Sequence, residues 1–169
     1  MEKEADILQQ IELFKNLKPE KICKILDIVH KVTFSADDII MKEGDTGDTM
    51  YIILEGTVEV VKSLVIGGMD EEDEAKNKVF TRLDGNHHAV FGEIALLEEL
   101  KRTATIRAIT DCVLYEIKKN DFVKLAEEDY ELGYRILLNL ARIVSARLRK
   151  ADEDTIKLTT ALSVILHEA

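Results

Sequence analysis

The 169-residue chain is short of the residues that punctuate, staple or anchor a polypeptide, and each shortage excludes something. A single proline beside 46% hydrophobic residues is too ordered a composition for a disordered protein, and the length suits one well-buried domain with an appendage. The two cysteines, Cys23 and Cys112, show neither the paired spacing of a zinc knuckle nor that of a redox motif, so both are expected to be buried free thiols. No apolar run approaches the ~20 residues needed to span a bilayer. The opening Met1-Glu2-Lys3-Glu4-Ala5-Asp6 lacks the basic start of a secretion signal, which makes the cytoplasm the expected compartment and leaves no membrane partner. Positive charge is scarce: 23 Lys and Arg against 33 Asp and Glu give a net charge of -10, against direct binding of nucleic acid. A Ser-His-Asp order, a metal-ligand triad and a carboxylate pair placed for acid–base work are also missing. The chain is therefore not expected to be an enzyme or to require a cofactor.

What is present divides by periodicity. Residues 1–31 read as a helical lead-in, with apolar residues from Ile7 to Val29 at helical spacing, a break at Asn16–Pro19, and Pro19 in the first turn of a second helix. Residues 32–118 change to short β-forming runs such as Met50-Tyr51-Ile52-Ile53-Leu54, broken by glycines at 44, 47 and 56 that are expected to serve turns with positive φ. The acidic run from Gly67 to Lys78 reads as a solvated hairpin loop, since it lacks the ligand alternation and closing glutamate of a calcium loop. His87 and His88, taken as strand neighbours, point to opposite faces and do not form a metal pair. Asn120 is the expected N-cap of the helix that follows the last strand. The strand count, with helices at both ends, implies a mainly β protein with flanking helices, built as a double-sheet or barrel jelly roll.

Residues 119–169 are helical and carry two stripes. Leu137, Ala141, Val144, Leu148, Ala151, Thr155, Leu158, Leu162 and Ile165 alternate steps of four and three, the spacing of a coiled-coil seam, which predicts a parallel homodimer. Asp152-Glu153-Asp154 offers an alternative in which a separate last helix begins there. Ile136, Leu140 and Ile143 form the second stripe, expected to pack on the strands, and one further step lands on Arg147. An arginine beside a seam is ordinarily solvated or salt-bridged.

The chemistry concentrates between Phe91 and Thr105. Gly92 lets a backbone approach a ligand, and Ile94-Ala95-Leu96-Leu97 fits a short helical turn. Arg102 supplies a planar fork of donors for a phosphate, Thr103 a hydroxyl, and Glu93 a carboxylate that suits only a ligand which also carries donors. In residues and spacing this stretch resembles the phosphate-binding cassette of the cyclic nucleotide-binding domain family. The phrase from Lys42 to Val58 is similar to the glycine-punctuated first half of that family's β barrel. The resemblance covers Ile11 to about Lys150, and it departs in two places: the link from Leu83 to Phe91 is about two residues longer than usual, and Lys101 stands where a proline is common.

The resemblance implies a jelly-roll barrel that binds cAMP, with cGMP as the alternative, and relays occupancy to its C-terminal helix. It assigns Glu93 to the ribose 2'-hydroxyl and Arg102 to the exocyclic phosphate oxygens, with Gly92, Ile94, Ala95 and Thr103 around the cyclic phosphate. Thr103 is polar where many cAMP binders carry alanine and many cGMP binders a hydroxyl, yet it also suits a phosphate. Arg147 falls where the family's last helix nears the purine, so its guanidinium is expected to stack on the base or bond its edge. Competing readings are a ligand-free dimerisation or docking module and, more weakly, a metal-dependent jelly-roll enzyme. Too few residues follow the long helix for a helix-turn-helix. The downstream protein partner is not specified by the sequence.

Overall fold

The computed structural model describes residues 2–64, 76–98 and 101–167, so Gly67–Ala75 of the acidic run and Glu99–Leu100 of the cassette lie outside the described residues. Three helical pieces open the chain: α1 (Glu2–Gln10), a 3-10 turn (Glu12–Phe14) and α2 (Pro19–Leu26). Pro19 occupies the first turn of α2, where its missing N–H leaves no bond unmade. Strands follow as β1 (Val29–Phe34), β2 (Ile39–Met41), β3 (Thr49–Glu55), β4 (Thr57–Leu64), β5 (Lys76–Asp84), β6 (Val90–Phe91), β7 (Thr105–Ala108) and β8 (Cys112–Lys118). A one-turn helix, α3 (Ile94–Leu97), lies between β6 and β7, and α4 (Lys119–Glu128) and α5 (Tyr130–His167) close the molecule.

The strands pair antiparallel into two four-stranded sheets, ordered β1-β8-β3-β6 and β2-β7-β4-β5. This is the double-sheet jelly roll that the strand count implied. The unbroken apolar run of β3 follows from its position, because both of its faces are covered. Met50 and Ile52 face the helices, in a core shared with Leu8, Phe14, Ile22, Ile136 and Leu140. Tyr51 and Ile53 face the gap between the sheets, with Phe91, Ile106 and Leu114.

The lead-in helices are tied to the start of α5 by polar contacts as well as apolar ones. Asp129, buried at the α4–α5 junction, accepts from Lys21 at 2.6 Å and Lys24 at 2.5 Å and caps α5 through the Leu132 N–H at 3.2 Å. The two ammonium groups hold its carboxyl well below the usual carboxylate range. Buried Asn139 donates to the carbonyls of Leu13 at 3.0 Å and Lys15 at 2.9 Å. The first turns of α5 are therefore fixed against the lead-in helices.

α5 is one helix of 38 residues, so the alternative of a separate helix starting at Asp152-Glu153-Asp154 does not hold. The acidic triplet is accommodated on exposed faces, where Asp154 pairs with Lys157 one turn on at 3.3 Å. The expected division of stripes holds in part: Ile136 and Leu140 are buried and Leu148 and Leu158 are 61% and 71% exposed, but Val144 of the seam packs against the core beside Ile143. Exposed Tyr130 and Tyr134 continue the same four–three spacing two steps towards the helix start.

Several local expectations fail for identifiable reasons. The strands begin at Val29 and not at residue 32, because Val29, His30 and Lys31 pair with Ile117, Glu116 and Tyr115 of β8, so the lead-in helices end at Leu26. Cys23 is exposed, because Ile22 and Ile25 take the buried face of α2, while Cys112 is buried as expected. The N-cap of α4 is Lys118, which places Asn120 inside the first turn. β5 begins at Lys76, not Val79, since backbone pairing with Leu64, Ser63 and Lys62 extends the hairpin through a polar segment. His87 and His88 do not lie on a strand: Gly85–His87 forms a 3-10 turn and His88 takes φ +44. That turn absorbs the long link before the cassette.

Candidate functional site

The site is assembled where the β6–α3 segment, the turn before β7 and the middle of α5 converge. Gly92 has φ +71, and a Cβ there would come within 2.9 Å of both Arg102 Nη1 and the Thr49 carbonyl oxygen. Glycine is thus required for conformation and for space. The chain then turns into α3, with the Ala95 and Leu96 N–H groups bonded back to the carbonyls of Gly92 and Glu93. Ala95 is buried, and Ile94 projects outward from the turn.

Arg102 is 8% exposed and is fixed from two sides. Its backbone pairs with the turn before β3: Arg102 N–H donates to Asp45 O at 2.7 Å, and Gly44 N–H donates to Arg102 O at 2.9 Å. Its side chain reaches the first residue of β3, where Nη1 donates to Thr49 O and Nη2 to Thr49 Oγ1, both at 2.8 Å. These two bonds occupy the outer edge of the guanidinium. The lateral edge, formed by Nε and Nη2, lies against Gly47, and a Cβ on Gly47 would meet both nitrogens too closely for any real atom pair. Gly47 has no positive φ, unlike Gly44 and Gly56, so turn geometry does not explain it. The absence of a side chain at this position leaves room for the Arg102 guanidinium beside it.

Glu93, 6% exposed, stands across the same space and is paired with Arg147 of α5, Nη1 to Oε1 at 2.5 Å. Arg147 Nη2 also donates to the carbonyl of Val90. The sequence placed Arg147 on the strand-facing stripe, and the structure puts it there, in contact with the cassette. Gly92, Glu93, Ile94, Ala95, Arg102, Thr103 and Arg147 all line one cavity of about 460 Å³, within the range of small-molecule sites. Its apolar lining includes Met41, Val60, Leu83, Phe91 and Ile106, and Lys150, Ala151 and Asp154 complete the α5 side. Four cationic side chains line it (Lys101, Arg102, Arg147, Lys150) against two anionic ones (Glu93, Asp154). In a chain of net charge -10, that local excess favours an anion at this place.

The sequence does not place Gly47, Thr49, Lys150 or Asp154 at the site: Gly47 reads there as a turn glycine and Asp154 as part of a possible helix start. Lys150 and Asp154 lie three and seven residues beyond Arg147, one and two turns further on the same side of α5, so helical spacing could have found them. Nothing local marks Thr49, since its contact with Arg102 spans 53 positions.

Residues 31–129 match the model of the cyclic nucleotide-binding domain. The chain is 35% identical over 111 residues to a cGMP-dependent protein kinase of Drosophila melanogaster, covering 66% of this chain and 9% of the relative. It is 33% identical over 118 residues to a cAMP-dependent protein kinase regulatory subunit of Blastocladiella emersonii, covering 70% of this chain and 27% of the relative. It thus spans about a quarter or less of these two curated relatives. Among solved structures, the catabolite activator protein of Thermus thermophilus superposes with a TM-score of 0.71 at 26% identity, over 88% of this chain and 63% of that one. A cyclic nucleotide-binding domain from Methylobacillus flagellatus shares the fold with a TM-score of 0.75 at 22% identity, over 90% and 80% of the two chains. With its two-sheet fold, its cavity and a family match across more than half its length, the chain belongs to the cyclic nucleotide-binding domain family.

Proposed function

We propose that the chain is a sensor module that binds cAMP, with cGMP as the alternative, and passes occupancy to α5. In this reading residues 1–31 brace the module, residues 32–118 hold the ligand and residues 119–169 report on it. The observation that carries it is a cavity with a local excess of cationic side chains, lined by buried Arg102, whose lateral edge has only a glycine beside it at position 47, and by buried Glu93, an acceptor. A cyclic phosphate takes two donors from the Nε and Nη2 edge of Arg102, and a ribose 2'-hydroxyl donates to Glu93. Ile94, Ala95, Gly92 and Thr103 enclose the phosphate, while the base lies towards the apolar lining and α5.

The relay follows from Glu93 having two claimants. Arg147 already bonds to it, so a ribose hydroxyl at the same carboxylate changes the contact that ties the middle of α5 to the cassette. Beyond that point α5 is exposed, and its apolar seam from Tyr130 to Ile165 pairs with a second copy of the chain in a parallel coiled coil. Binding of cAMP, cGMP, 2'-deoxy-cAMP and linear AMP tests the reading. Both cyclic ribonucleotides should bind, the deoxy ligand about tenfold or more weakly, as expected when a hydroxyl-to-carboxylate bond is lost. Equal affinity for cAMP and linear AMP would contradict it.

A further inference from the structure

A chain of hydrogen bonds leads away from the outer edge of Arg102 through residues that do not line the cavity. Arg102 Nη2 donates to Thr49 Oγ1 at 2.8 Å, Thr49 Oγ1–H donates to Tyr51 Oη at 3.3 Å, and Tyr51 Oη–H donates to Glu116 Oε1 at 3.1 Å. Every hydroxyl accepts from one neighbour and donates to the next. The series therefore has one direction, with a guanidinium at its head and a carboxylate at its end. Such a chain is polarised from both ends, which strengthens each bond in it.

Its members have little freedom to move. Tyr51 is buried, stacked on Phe91 with centroids 5.2 Å apart and met edge-on by Phe34 at 6.4 Å. Tyr51 and Glu116 are direct cross-strand partners on β3 and β8, and Thr49 follows on the same face of β3. Burial raises the Tyr51 phenol above its ordinary value, so it stays protonated and remains a donor to Glu116. The Thr49 carbonyl completes the clamp on Nη1. With the outer edge of the guanidinium held in this way, its plane is set: the lateral edge lies against Gly47, and Arg102 lines the cavity.

Resting on the reading of Arg102 as the phosphate donor, we propose that Thr49, Tyr51 and Glu116 are positioning residues that set the plane of its guanidinium and thereby which phosphate oxygens it engages. Thr49 is the critical link, because its hydroxyl touches both Arg102 and the buried tyrosine. A side chain of the same shape without the hydroxyl keeps the Nη1 bond to the Thr49 carbonyl and removes the Nη2 bond that fixes the guanidinium plane. The ligand then loses affinity and, more diagnostically, loses discrimination between its two exocyclic oxygens.

The test measures binding of cAMP and of its two diastereomeric phosphorothioates, in which sulfur replaces one or the other exocyclic oxygen, together with thermal unfolding. Thr49→Val should weaken cAMP about tenfold and bring the affinities of the two diastereomers closer together. Thr49→Ser should restore both. Tyr51→Phe and Glu116→Gln should act in the same direction with smaller losses, because they remove more distant links. A Thr49→Val chain that binds cAMP within about twofold of wild type overturns the proposal, as does a Thr49→Ser chain no better than Thr49→Val. An equal loss for all three ligands with a lower unfolding temperature also overturns it, since that is the behaviour of a merely structural threonine. A wild-type chain that binds none of them overturns the sensor reading and this one with it, whereas wild-type binding with an unaffected variant overturns this one alone.

Discussion

Replacing Arg147 with alanine cuts the contact between the cassette and α5. Among the described residues, Arg147 is the last in α5 with a hydrogen bond to another element, and the bonds of Thr155, Lys157, Thr159 and Thr160 stay within the helix. Its side chain is 42% exposed while that of Glu93 is 8% exposed, so the pair falls between a solvent-screened surface ion pair and a buried charged bond. A value of about 1 kcal/mol lies between those limits and corresponds to roughly a fivefold change in the opening equilibrium of the surrounding helix. Hydrogen exchange of residues 143–150 reads that change directly. In the variant these amides should exchange about fivefold faster, while residues 132–140, held by buried Leu132, Ile136, Asn139 and Leu140, should not respond. Added cAMP should alter exchange in this segment of the wild-type chain and leave the variant indifferent. Equal exchange in the two chains, or the same response to nucleotide in both, would refute the role given to Arg147.

Three further outcomes follow from particular contacts. Gly47→Ala places a methyl group against Nε and Nη2 of Arg102, so nucleotide affinity should fall by about 100-fold or more, measured by calorimetry; an affinity close to wild type would show that this edge is not used. On the coiled-coil proposal the wild-type chain should scatter light as a dimer at tens of micromolar and Leu148→Glu, at an exposed seam position, as a monomer; a monomeric wild-type chain would remove the proposal. Asp129 is held ionised by Lys21 and Lys24, so its contribution to stability is present above the ordinary carboxylate value near 3.8 and is lost as pH falls below it. Asp129→Asn should therefore lower stability at pH 7 and flatten the acid limb of the unfolding curve, which denaturant titrations at several pH values would show.

Period and punctuation carried much of the fold into the sequence. The two-faced burial of β3 appears as an unbroken apolar run, and the two stripes of α5 appear as a four–three seam beside Ile136 and Leu140. That Gly92, Glu93, Ile94, Ala95, Arg102 and Thr103 share one cavity was legible because they are close in sequence and chemically distinctive. What stayed hidden depends on distance along the chain. Thr49 reaches Arg102 across 53 positions, and Gly47 matters for the guanidinium beside it and not for its own φ. The exposed face of Cys23 follows from which side of α2 meets the core, and local composition does not encode that. The polar start of β5 was read as loop because cross-strand backbone bonds do not depend on hydrophobic alternation.

The central claim is that this cavity holds a cyclic nucleotide on the guanidinium of Arg102. Calorimetric titration of cAMP into the wild-type chain and into Arg102→Ala, with both shown to be folded, tests it most directly. The account predicts saturable binding of one nucleotide per chain by wild type and a loss of about 30- to 1000-fold in the variant, the range for removing a charge-assisted contact to a buried phosphate. Absence of binding by the wild-type chain at millimolar nucleotide, or equal binding by the two chains, would contradict it.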